Sequence, residues 1–118
     1  LIPQWDRARV LWTTMRLYER RTVVQFSRRY PDAQHPLLAW ANEIEAAHYE
    51  NPAQLRQRYR SADFVGDKVI FNIGGNKYRL VARVLYANPR TKPPLNGTVF
   101  IVFLGTHEQY DDVEVEEL

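Results

Sequence analysis

Residues 69–83, VIFNIGGNKYRLVAR, set three cations at strand spacing. Successive side chains of a strand leave on opposite faces, so Tyr78, Leu80, Ala82 and Val84 share one face while Lys77, Arg79 and Arg83 share the other. The first face requires a core. The second carries bases and no acid, where an ordinary surface strand mixes Thr, Ser, Glu and Lys, and so it points to a partner bearing negative charge. Arginine suits a phosphate well, because it stays protonated and its planar fork grips two oxygens at once. On the preceding arm Lys68 and Asn72 alternate toward a common side. His107 follows an apolar, β-branched run, and Tyr110 comes three residues later. Imidazole, with a reference pKa of about 6.5, can give or take a proton near neutrality. A histidine placed there can equally do no more than close the turn after Gly105. Tyr110 is open to the same two readings, a functional phenol or stacking ring on one side and a core residue of a last turn on the other.

The elements that must position these residues are legible in part. Gly74-Gly75-Asn76 tolerates positive φ and predicts a tight hairpin joining strands at 68–73 and 77–86. Residues 98–104, TVFIVFL, read as a strand buried on both sides. Between them, 87–97 is rich in Pro, Asn and Gly, cannot pair as sheet, and forms a flap made cationic by Arg90 and Lys92. Upstream, Val23, Phe26 and Tyr30 predict a helix over 21–30, with Arg28 and Arg29 where its dipole favours cations or where they could reach a phosphate. Leu37, Trp40, Ala41 and Ile44 predict a second helix, starting between 32 and 36 and ending near 47, with Trp40 as a core anchor. Asn51-Pro52-Ala53-Gln54 reads as an N-cap, a first-turn proline and a capping Gln, opening a short helix with a solvated arginine end. Residues 15–18 allow a short edge strand, and Thr106 can cap a final turn. Helices grouped before hairpin-linked strands give an α+β domain, with helices on one face of a small antiparallel sheet and the other face open.

Composition narrows the classes of function. A length of 118 residues suits one domain with its own core. The absence of cysteine removes a disulfide framework and a thiol nucleophile, and is compatible with a cytoplasmic home. No apolar run approaches the roughly 20 residues needed to span a bilayer. His35 and His48 lie far from the basic strand, and there is neither paired His spacing nor a Walker-type loop, so neither metal nor cofactor is expected. All 16 basic residues and 8 of the 14 acidic ones precede residue 108, which makes the body strongly basic and favours a polyanion through counterion release. The acidic end is expected to be solvated and mobile. Residues 1–14 show no period and precede Met15, so the expected division is an extension over 1–14, a domain over 15–113 and an acidic tail over 114–118.

From Met15 to about Val113 the chain resembles the HigB-type toxins of bacterial toxin–antitoxin pairs, within the RelE-like group of mRNA interferases. The matching features are Tyr30-Pro31-Asp32-Ala33 before Pro36-Leu37, Trp40 in the second helix, and Pro52-Ala53 opening the third. They continue with Ser61-Ala62-Asp63-Phe64, Phe71-Asn72-Ile73, Gly75-Asn76-Lys77-Tyr78-Arg79-Leu80, and Phe103-Leu104-Gly105-Thr106-His107 leading to Tyr110-Asp111. Two departures stand out. Such toxins usually begin near Met15, and their last two strands usually join by a tighter connection than 87–97, which is expected to emerge beside the basic strand.

The resemblance implies a small α+β toxin that cuts mRNA on the translating ribosome. It also implies a helix-turn-helix, HigA-type antitoxin that neutralises the toxin and alone carries the pair to operator DNA. Metal-free RNA cleavage needs a base for the ribose 2′-OH, cations on the phosphorane-like oxygens and an acid for the leaving 5′-oxygen. Arg79 is the expected phosphate cation, His107 and Tyr110 the candidates for proton transfer or stacking, and Lys68, Asn72, Lys77 and Arg83 the candidates for RNA contact. The alternative is a non-catalytic RNA- or antitoxin-binding module, its cleft obstructed by the flap and overlaid by the acidic tail.

Overall fold

The computed structural model describes residues 14–118, so all of the expected N-terminal extension except Thr14 lies outside the described residues. Strand β1 (Arg16–Tyr18) leads into helix α1 (Arg20–Arg29), a single 3-10 turn at Pro31–Ala33 and helix α2 (Gln34–Ala46). Helix α3 (Pro52–Arg58) opens as expected: the Asn51 side chain accepts from the Gln54 N–H at 2.9 Å. Strands β2 (Asp63–Val65), β3 (Lys68–Ile73), β4 (Tyr78–Leu85) and β5 (Thr98–Thr106) follow, then helix α4 (His107–Asp111) and a 3-10 turn at Val115–Glu117.

The sheet runs β1-β5-β4-β3-β2, which puts β4 in its centre. β3, β4 and β5 pair antiparallel as expected, but β1 lies parallel to β5 and makes the sheet mixed. No hairpin joins β1 to β5, so nothing local fixes their relative sense. β2 carries no period because it is three residues long; it folds back on β3 through Gly66, whose φ of 61° suits glycine. The hairpin loop holds four residues, 74–77, with Gly74 and Gly75 at φ of 63° and 69°.

The predicted core face is the observed one. Tyr78, Leu80, Ala82 and Val84 of β4 and Val69, Phe71 and Ile73 of β3 are buried beneath Leu37, Trp40, Ala41 and Ile44 of α2. Trp40 and Tyr59 both meet the Phe71 ring edge-on. β5 is not buried on both sides. Val99 and Ile101 face this core, whereas Phe100 stacks at 5.0 Å on Tyr18 on the other face. An extra residue, Val102, sits between the pairs Val81–Phe103 and Ala82–Ile101, and this bulge restores the alternation.

The second face of the sheet is not simply open. Ile70 and Val81, paired across β3 and β4, are 2% and 0% exposed yet lie outside the helix-side core. Phe103, paired with Val81 and packed by Tyr110, shares this face, and the acidic end borders it. Its Glu114, Glu116 and Glu117 side chains are exposed, but its main chain turns back to this face, where Lys68 Nζ donates to the Val115 and Glu116 carbonyls at 2.9 and 3.1 Å. Arg83 donates to Leu118 O at 3.1 Å and pairs with Asp67 at 3.0 Å. The contacts that hold the acidic end here are made by its main-chain oxygens, not by its glutamate side chains.

The flap also differs from expectation. Asn88 and Leu95 form a two-way backbone bridge at 2.8 and 2.9 Å, and the segment borders Arg16, Tyr18 and Leu85. That is the far end of β4 from Arg79, about 20 Å away at 3.3 Å per strand residue. Gly97 is needed there, because a Cβ would stand 2.8 Å from the Ala87 nitrogen and 2.9 Å from the Met15 side chain.

Candidate active site

Arg79 sits at the hairpin end of the central strand, between its partners Asn72 on β3 and Gly105 on β5. It points to the second face, beyond the reach of the tail bonds that hold Lys68 and Arg83. Its guanidinium donates from Nη1 to the Asn76 and Tyr78 carbonyls, each at 3.2 Å, and from Nη2 to Asn76 Oδ1 at 2.7 Å. Asn72 Nδ2 donates to Ser61 O at 3.2 Å, so it ties the loop before β2 to the same end of the sheet.

Tyr110 arrives from α4, which the sequence fixes tightly. Thr106 Oγ1 accepts from the Gln109 N–H at 3.1 Å, and Gln109 Oε1 accepts from the Thr106 N–H at 2.9 Å, a reciprocal capping box. The Tyr110 and Phe103 rings lie 6.3 Å apart. Gly105 makes room for this arrangement, since a Cβ there would stand 2.6 Å from the Phe103 ring. Burial, then the neighbouring Asp63 carboxylate, push the Tyr110 phenol above its usual pKa, while Arg79 opposes them. A phenol is protonated near neutrality in any case, and this shift adds to that preference.

Lys77 does not share a face with Arg79 as the alternation predicted. It lies in the loop ahead of β4, and its Nζ pairs with Asp32 Oδ2 at 3.0 Å. The same carboxylate accepts from the Tyr78 hydroxyl, whose ring packs among Phe26 and Tyr30 on the helix side. The Tyr78 bond, then Lys77, hold Asp32 below the usual carboxylate range, and the Asp32 bond pushes the Tyr78 phenol up to about 12. His107 joins this group: its backbone N–H donates to the Lys77 carbonyl at 2.9 Å, and its imidazole Nδ1 lies 3.4 Å from Asp111 Oδ2. Lys77, His107, Asp32 and Tyr30 border an open depression of about 350 Å³ at the tip of the sheet.

The expected site residues thus divide. Arg79, Asn72 and Tyr110 gather on the second face at the hairpin end, and Lys77 with His107 stand at the adjoining tip. Lys68, 5% exposed, and Arg83 are engaged with the tail further along the strands. Sequence reasoning passed over Asp32, Asp63 and Asn76. Asp32 and Asp63 fell within segments already singled out, but no periodicity places a carboxylate across 46 residues from Tyr78.

Comparison with known proteins fits this geometry. Residues 33–113 match the family model for HigB_toxin, the RelE-like toxic component of a toxin-antitoxin system. The mRNA interferase toxin HigB of Escherichia coli (strain K12) is 26% identical over 100 residues, spanning 82% of this chain and 88% of that protein. The mRNA interferases HigB of Escherichia coli O157:H7 and Shigella flexneri match at the same identity and coverage. With most of the domain matched, including β2 to α4 and the strand that carries Arg79, this chain belongs to the HigB toxin family, the RelE-like toxic component of toxin–antitoxin systems.

Proposed function

We propose that this toxin is an mRNA interferase, a metal-independent endoribonuclease that cuts message on the translating ribosome in the cytoplasm. The observation that carries the reading is the placement of Arg79. It is a guanidinium held by three hydrogen bonds on the central strand, at the end of the basic face that the tail leaves uncovered. A phosphate seated there meets a cation that needs no reorganisation as charge builds on its oxygens.

In the proposed reaction the ribose 2′-oxygen bonds to phosphorus and the bond from phosphorus to the 5′-oxygen breaks. The 2′-OH proton passes to a base and the leaving oxygen takes one from an acid. Tyr110 fits the acid, because its phenol carries its proton near neutrality and stands on the same face as Arg79. His107, at the tip beside Lys77, fits the base. Few groups are present, so the ribosome supplies the orientation of the message. The partner is a HigA-type helix-turn-helix antitoxin, through which alone the pair would meet operator DNA. The non-catalytic alternative finds little support, since the flap lies at the opposite end of β4 and the tail over Lys68 and Arg83.

Arg79→Ala tests the reading. Growth arrest on induction and message cleavage on purified ribosomes are expected to fall about 100-fold or more, the loss typical of a removed transition-state donor. A folded Arg79→Ala protein that cuts at the parent rate would refute the site.

A further inference from the structure

We infer that Asn76 is a positioning residue that aims Arg79 at the scissile phosphate; the inference rests on the reading of Arg79 given above. Asn in a hairpin loop is ordinarily explained by its tolerance of positive φ. That explanation fails here. Gly74 and Gly75 take the left-handed conformations, and among the described residues Glu19 is the only non-glycine with positive φ. The backbone at position 76 therefore has no need of asparagine.

The side chain has another occupation. Asn76 Oδ1 accepts from Arg79 Nη2 at 2.7 Å, the shortest of the three bonds to this guanidinium, while the Asn76 carbonyl accepts from Nη1 at 3.2 Å. One residue thus grips the guanidinium from its main chain and its side chain together. The Tyr78 carbonyl also accepts from Nη1. An arginine has five N–H donors in a rigid plane. None of these three bonds uses Nε–H, which stands beside one Nη2–H. In a planar guanidinium these lie parallel along one edge, the pair that receives two oxygens of a phosphate.

The grip has a second consequence. Arginine on an exposed strand end samples many rotamers, and each must be given up when a phosphate docks. Asn76 holds the side chain before the substrate arrives, by a neutral acceptor that leaves the positive charge intact. A carboxylate in its place would hold the fork equally well but offset its charge. The asparagine is thus chemically apt in a way that aspartate, its isostere, is not.

The test is cleavage of a message that the parent protein cuts, on purified ribosomes, with kcat and KM measured separately. Asn76→Ala is expected to lower kcat about 10- to 100-fold, the scale of loss for a misplaced catalytic group, with KM changed less than about threefold. Asn76→Asp is expected to give a kcat between those of the parent and Asn76→Ala and to raise KM, because the grip survives while the charge is offset in both ground and transition states. In an Arg79→Ala background Asn76→Ala should cost nothing more, since a residue that works through another has no effect once that one is gone. A parent-like Asn76→Ala enzyme, an Asn76→Asp enzyme with kcat as low as that of Asn76→Ala, or losses that multiply in the double variant would each overturn the assignment. Parent-level cleavage by Arg79→Ala alone would instead strike at the site itself, so the two failures are distinguishable.

Discussion

Val81 offers the sharpest check on the folded-back tail. It faces away from the helices, and on an uncovered sheet its replacement by alanine would remove only strand preference, at most about 1 kcal/mol. In this structure Val81 is 0% exposed and outside the helix-side core. Val81→Ala then removes two buried methyl groups at about 0.8 kcal/mol each and leaves a partly unfilled space, for a total of about 2–3 kcal/mol. A chain of 118 residues gains about 0.25 kcal/mol/K of unfolding entropy near its midpoint, so the expected fall in Tm is about 8–12 °C. The measurement is thermal or urea unfolding in an Arg79→Ala background, which lets the protein be made in quantity. The decisive arm repeats it in a chain lacking residues 114–118. With the tail removed, the cost of Val81→Ala should shrink toward the strand-preference value of about 1 kcal/mol. An equal cost with and without the tail, or a negligible cost in the full chain, would show that the acidic end does not seal this face.

Three further outcomes follow from the same geometry. Lys68→Met should leave message cleavage within about twofold of the parent, because its ammonium serves the Val115 and Glu116 carbonyls rather than RNA; a loss comparable to that of Arg79→Ala would return Lys68 to the cleft. Tyr110→Phe keeps the ring and removes the proton, so cleavage should fall about 10²-fold with Tm nearly unchanged, and a parent-like rate would exclude the phenol as acid. Asp32 has a depressed folded-state pKa, so its contribution to stability is present above the free value of 3.8 and is lost as pH falls through the lowered one. Tyr78 is raised, so its contribution is complete below 10.0 and is lost as pH climbs toward about 12. Asp32→Asn should therefore flatten the dependence of Tm on pH at both ends, and an unchanged profile would show that the pair does not couple.

What the sequence disclosed and what it hid follow from the range over which each signal acts. Leu37, Trp40, Ala41 and Ile44 announced a buried helical stripe because their spacing is local, and Tyr78, Leu80, Ala82 and Val84 announced a core face for the same reason. Caps at Asn51 and Thr106 were readable because donor and acceptor lie three residues apart. Alternation could also say that Arg79 and Arg83 share a face. It could not say what lies against that face, and the tail at one end of it is joined to β3 through Lys68, 47 residues before Val115. Lys77 failed for a subtler reason: the loop took four residues where three were expected, and the shift carried Lys77 out of the strand to Asp32. Asn76, in the same loop, reaches the Arg79 guanidinium with its side-chain oxygen. A one-residue change in loop length thus moved one cation off the proposed catalytic face, while a residue of that loop holds the other in place.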